Sequence, residues 1–122
     1  MKVWALEIHG KRPTTLNQER KTNNWGKRAS DTKWWRTQFC ELAVSNQIPA
    51  HERLHVSVIP LHKNGRSPQD TAACFPAAKA GIGGLVDAGV ISDDTPNIVV
   101  RVDFHAPKIC GVDGLRIEIR SA

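Results

Sequence analysis

The segment 114–120 constrains the fold most sharply. Leu115, Ile117 and Ile119 alternate strictly with Arg116, Glu118 and Arg120. A two-residue period puts the apolar side chains on one face and the charged ones on the other, the pattern of a half-buried strand. Residues 53–61 repeat it, with Leu54, Val56 and Val58 pointing one way and His55, Ser57 and Ile59 the other. Residues 97–105 read as another strand, Val100, Val102 and Phe104 opposing Arg101, Asp103 and His105. Residues 2–9 are largely apolar and read as the first strand.

Two segments of helical period lie between these strands. Trp35, Phe39, Leu42 and Ala43 share one face of a helix that Ser30 or Asp31 caps, running to about Gln47 and stopped by Pro49. A second helix is expected over about 71–88, burying Ala78, Ile82, Leu85 and Val86 and ending at Gly89. Its middle holds Gly81, Gly83 and Gly84. Each costs ~1 kcal/mol against Ala, a cost tolerated where another backbone comes close. A partner helix in a dimer, a tight strand crossing and simple drift all remain open. The order β-α-β-α-β-β predicts an α+β fold with a mixed four-stranded sheet and two main helices. If the middle pair of strands runs parallel, the second helix is the crossover between them. At 122 residues the chain is one domain, 1–122.

Hydrophobic residues at 40% and charged residues at 24% exclude a disordered or charge-rich linker. No run approaches the ~18 apolar residues of a membrane span. The first ten residues lack a secretory signal, so a cytoplasmic location in a bacterial or phage-infected cell and no membrane partner are expected. Cys40, Cys74 and Cys110 are odd in number and widely spaced. They read as small buried hydrophobes rather than a disulfide framework or zinc site.

The net charge is +5, from 17 Lys and Arg against 12 Asp and Glu. Residues 11–36 hold eight bases and two acids, or +6, and the remainder nine bases and ten acids, or −1. Concentrating the excess in one stretch is how a polyanion-binding surface is built. Much of the stretch, 10–29, lacks periodicity and reads as a long basic loop. Lys11, Arg12, Arg20, Lys21, Lys27 and Arg28 are the candidate phosphate contacts. Trp25 either stacks on bases or anchors the loop. Of the five His residues, His62 alone lies near the Asp70 loop.

Asp70, Lys79, Asp93 and Asp94 are the candidate catalytic residues. Converging carboxylates hold Mg²⁺ or Mn²⁺, which activates a water toward phosphorus, and a lysine neutralises the developing charge. On residue types alone, Asp93-Asp94 is equally a turn and Asp70 an N-cap. A helix of about 17 residues is ~25 Å long. A bare crossover therefore separates Asp70 from Asp94, unless a loop or a second subunit brings them together.

Residues 69–99 resemble the signature of the RusA family of Holliday junction resolvases, in the form found in actinobacterial phages and prophages. Lys79, Leu85, Gly89, Asp93 and Asp94 fall at the family's intervals, and Asp70 matches its first acid. Pro13 and Asn17 resemble its N-terminal element. The resemblance implies an α+β homodimer that binds branched DNA and resolves four-way junctions by Mg²⁺-dependent paired nicks. Asp70 and Asp94 would be metal ligands, Lys79 a catalytic cation and Asp93 their neighbour. The chain departs from the pattern where Ala72, Ala73 and Gly83 replace two acids and an asparagine. Asp87 and Asp103 are the acids left to compensate. A catalytically weak or inactive RusA-like DNA-binding protein is the alternative. A basic structural protein assembling on RNA or protein partners is the third reading.

Overall fold

The computed structural model describes residues 2–13, 15, 25–65 and 71–122. The elements, in chain order, are β1 (Trp4–His9), α1 (Trp25–Ser45), β2 (Leu54–His62), α2 (Phe75–Asp87), β3 (Val99–Phe104), β4 (Lys108–Ile109) and β5 (Gly114–Ser121). The α+β fold holds, with a mixed sheet of five strands and two helices. The extra strand, β4, is only two residues long and falls in the connection that Pro107 and Gly111 bound.

The sheet order is β1-β5-β2-β3, with β4 also pairing β2. β2 runs parallel to β3 and β4, and β5 runs antiparallel to β1 and β2. The α2 crossover therefore joins parallel neighbours, which a tight hairpin could not do. A bulge between Leu54 and His55 sets Val99 opposite Leu54 and Arg101 opposite His55. Val99, Val102 and Phe104 thereby share the helix-covered face, and Val100 becomes the exposed extra residue. This corrects the plain alternation expected for 97–105.

One sheet face carries the core. Leu6, Ile8, Val56, Val58, Ile117 and Ile119 meet Trp35 and Phe39 of α1 and Leu85 of α2. The other face is a lattice of charges. Glu7 accepts a hydrogen bond from Arg116, which stands directly opposite it, and Arg116 also bonds Glu118. His55 and Arg101 both bond Asp103. Opposite charges on neighbouring strands let this face meet water without an apolar patch.

α1 begins at Trp25, not at Ser30 or Asp31, so residues 25–29 belong to a helix rather than to the basic loop. Lys27, Arg28 and Ala29 are good helix formers, and Arg28 and Asp31 extend the Trp35 face by two turns. Ser30 is exposed in the helix interior, and Asp31 there accepts a hydrogen bond from Lys11 rather than capping the helix. α2 starts later than expected, at Phe75, because Pro76 suits a first turn and 71–74 form turns.

The glycines of α2 face α1 and β5 of the same chain. A Cβ on Gly84 would collide with the Arg36 carbonyl oxygen and sit 2.9 Å from the Cys40 nitrogen. One on Gly81 would sit 2.6 Å from Ile117 Cδ1 and 3.0 Å from the Phe39 ring. The close backbone is therefore that of α1, and no second subunit is needed to explain these residues. The three cysteines are free, but only Cys74 is buried; Cys40 is half-buried and Cys110 exposed, against the expectation of three buried thiols. Burial pushes the Cys74 thiol up to about 11. Among the described residues no helix is long and apolar enough to cross a membrane.

Replacing Gly84 by alanine forces a methyl group onto a backbone carbonyl that has no room to yield. We expect a loss of ~3 kcal/mol and a melting temperature lower by roughly 10 °C, read by thermal unfolding. Gly83→Ala, which meets only the Arg36 side chain, should cost far less.

Candidate functional site

Gly89, with φ +78°, turns the chain at the end of α2. Val90 and Ile91 are then pulled into the core, and the Val90 carbonyl accepts the His51 amide at 2.7 Å. The chain from Ser92 onward doubles back beside α2. Asp94 consequently lines the same clefts as Lys79, about two turns before the helix end, or ~12 Å back along its axis. Phe75, at the start of α2, lines both clefts as well. The separation by a full helix length anticipated for this connection thus does not apply to Asp94 and the first turn of α2. Asp70 itself lies outside the described residues, as do Arg20, Lys21 and Asn17.

Two clefts meet at Lys79 and Asp94. One, about 270 Å³, lies between α2 and β3 and is mostly apolar, walled by Phe75, Ile82, Val102 and Phe104. The other, about 360 Å³, lies between α2 and α1, where Thr32 and Arg36 form the far wall. Lys79 and Asp94 are both exposed, and among the described residues the Asp94 carboxylate has no hydrogen-bonding partner. Asp93 is committed locally, since its Oδ1 accepts the Asp94 amide at 2.8 Å. That is the turn chemistry of the Ser-Asp-Asp-Thr-Pro stretch.

Arg36 is the residue that sequence reasoning missed. Its Nε and Nη2 donate to the two oxygens of Asp87 at 2.6 and 2.8 Å, a bidentate fork. Its Nη1 lies where the side chain of any larger residue at position 83 would begin, 3.0 Å from the Cβ that Gly83 lacks. The fork holds the Asp87 carboxyl below its ordinary value of 3.8, partly opposed by desolvation, and raises the guanidinium in turn. Position 36 carried no distinguishing sequence signal beyond its place in the basic stretch.

Neither expected substitute acid is available. Asp87 is occupied by Arg36. Asp103 is on the opposite face of the sheet from the clefts, where hydrogen bonds from Arg101 and then His55 lower its pKa. Among the described residues no group of three or more His, Cys, Asp or Glu side chains gathers as for a metal ion.

The cationic stretch divides in two. Lys11 is drawn inward, bonded to Asp31 at 2.8 Å and lying over the Trp34 ring at 4.8 Å. Arg12 approaches Nδ1 of the buried His62 at 3.4 Å. Burial, reinforced by Arg12, lowers the His62 pKa. By contrast, Trp25 is 77% exposed and lines a groove along α1 with Arg28, Lys33 and Arg36. The ring is thus largely presented to solvent. Lys27 is exposed on the same helix.

A scan against models of known protein families finds no match, and a search of curated proteins finds none.

The Arg36–Asp87 pair makes the site's pH response testable. A carboxyl whose pKa is depressed on folding stabilises the fold above its ordinary value and loses that contribution as pH falls through the lower folded value. Wild type should therefore melt above Asp87→Asn at neutral pH, and the gap should close well below pH 3.8. Both side chains are more than a third exposed, so the gap should be about 1 kcal/mol or less, a few degrees in thermal melts.

Proposed function

We propose that this chain is a RusA-like protein that binds branched DNA, four-way junctions above all, along α1 and in the Lys79–Asp94 clefts. One observation carries the reading. Lys79 and Asp94, distant in sequence, line one cleft whose opposite wall is the oriented Arg36 guanidinium, beside a groove where an exposed Trp25 stands with Arg28 and Lys33. A phosphodiester backbone is gripped by cations and read for shape rather than sequence. Arg36, aimed by Asp87, offers its remaining N–H groups in a fixed direction, and Lys79 offers a mobile point charge. Trp25 offers a π-face to bases left unstacked at an open junction centre.

Mg²⁺-dependent nicking is the second reading, favoured by Asp94 standing beside Lys79. Mg²⁺ is commonly held by one or two carboxylates together with substrate phosphates. The described residues offer Asp94 alone, between two cations that repel a metal ion, and the other expected ligand is Asp70. These donors do not make a metal site by themselves, so no step is derived through the ion. The binding reading requires no divalent cation.

The test compares a four-way junction with linear duplex of the same sequence by gel mobility, in EDTA and in Mg²⁺. We expect junction preference in EDTA. Arg36→Ala or Lys79→Ala should weaken junction binding roughly tenfold, the scale of a charge-assisted hydrogen bond. The double variant Arg28→Ala/Lys33→Ala should flatten the salt slope by about 2. Equal affinity for linear duplex, or preference for RNA, overturns the proposal. Strand nicking in Mg²⁺ that Asp94→Asn abolishes would establish the second reading.

A further inference from the structure

The α2–β3 cleft has two kinds of lining. Phe75 and Ile82 from α2 and Val102 and Phe104 from β3 make its apolar walls. The Phe75 and Phe104 ring centroids are 6.2 Å apart and the rings are inclined at 37°, so they form one aromatic surface. Phe75 is 44% exposed, which leaves part of that surface open to a ligand. The charged lining residues are Lys79 and Asp94, both exposed and both shared with the α1–α2 cleft that Arg36 walls. The apolar hollow thus opens beside a pair of cations. At about 270 Å³ it falls short of a site for a drug-sized molecule and takes one flat ring system.

These groups set what an occupant must carry. It needs a flat apolar face for Phe75 and Phe104 and an anion for Lys79 and Arg36. It also needs N–H donors for the Asp94 carboxylate, which only accepts when ionised. A nucleotide carries all three on one short frame. An apolar side chain from a partner protein carries only the first and leaves Asp94 unmatched. Among the bases, guanine has two adjacent donors on its pairing edge, N1–H and the N2 amino group, which match the two carboxylate oxygens. Cytosine and adenine offer one amino group beside a ring-nitrogen acceptor. Thymine offers one N–H between two carbonyl oxygens, which a carboxylate repels.

We propose that the α2–β3 cleft is a pocket for one unpaired base of bound DNA, guanine by preference. Asp94 reads the pairing edge and Lys79 holds the adjoining phosphate. The inference rests on the reading of the clefts as part of a branched-DNA site, and names what one of them recognises. A base without a partner enters such a pocket at little unpairing cost, and stacking with edge hydrogen bonds is how an extruded base is read. The contact adds one position of sequence to binding otherwise made through shape and charge.

The experiment measures affinity by gel mobility in EDTA, which keeps any divalent cation off Asp94. The probes are four-way junctions and linear duplexes, each with one unpaired G, A, C or T. Wild type should bind the G probe roughly tenfold tighter than the T probe in both contexts, with A and C between. Asp94→Asn, which exchanges one acceptor oxygen for a donor, should bring the G-to-T ratio close to one. Val102→Trp should do the same by filling the hollow, on an edge strand that suits aromatic residues. Circular dichroism and melting check its fold, and the exposed Asp94 decides the matter if it does not fold. Equal affinity for the four bases, or a G-to-T ratio that Asp94→Asn leaves intact, overturns this proposal alone. A G preference without any preference for junction over duplex overturns the branched-DNA reading and leaves the pocket. Guanosine 5′-monophosphate should displace the G probe only at roughly millimolar concentration, since it lacks the contacts along α1. Displacement at micromolar concentration would make the free nucleotide the ligand and overturn the assignment to a DNA base.

Discussion

The backbone-to-backbone approach of α1 and α2 is the constraint on which the rest of the structure depends. With the Arg36 carbonyl oxygen occupying the place where a Cβ of Gly84 would lie, neither helix can slide or rotate without a clash or a void. That contact fixes where the Arg36 side chain leaves α1. From there the guanidinium crosses Gly83 and reaches Asp87, one turn further along α2. The wall of the α1–α2 cleft is therefore a consequence of core packing. Its cation is placed by two helices rather than by a loop, which is how a binding group acquires a fixed direction.

The strands were legible because burial on one face imposes a period that no other element shares. β5 and β2 read directly, with Leu115, Ile117 and Ile119 against Val56 and Val58. The start of α1 was not legible, because Asn, Trp, Gly and Lys at 23–27 carry neither a cap signature nor an apolar period. The helix is carried back to Trp25 by the formers that follow it. The glycines of α2 announced a close approach, but a single sequence does not name the neighbour. The turn after α2 was read as a turn, yet its direction depends on Val90 and Ile91 being buried, which is a tertiary fact. Lys79 and Asp94 were picked out as residues. They were grouped as one candidate constellation, but residue spacing alone did not fix their meeting, since it depends on that direction.

Charge in this chain is arranged at two scales. Across the exposed sheet face acids and bases pair both between strands and along them and largely cancel, as in Glu7 with Arg116 across β1 and β5 and Asp103 with Arg101 along β3. The excess lies in the stretch through α1, and within it the roles separate. Lys11 and Arg12 are turned toward the body of the protein, against Asp31, Trp34 and His62. Arg28, Lys33 and Arg36 line an open groove. A count of basic residues treats these alike. Among the described residues, the cations that line an open groove lie on the helix, with its rigid spacing along the axis.

The four charged groups at the clefts, Arg36, Asp87, Lys79 and Asp94, sum to zero, so the net positive charge nearby is that of the α1 groove. What the clefts add is direction. Gly83 and Arg36 act as a unit here: the absent side chain leaves the space, and the guanidinium fills it while Asp87 holds it in plane. An acid at position 83 would have contributed a hard oxygen ligand beside Asp94, and the same volume instead holds a permanent cation. A carboxylate cluster recruits a metal ion in order to meet a phosphate. A forked guanidinium meets the phosphate itself. At position 83 the missing side chain thus leaves the room into which the neighbouring helix extends its guanidinium.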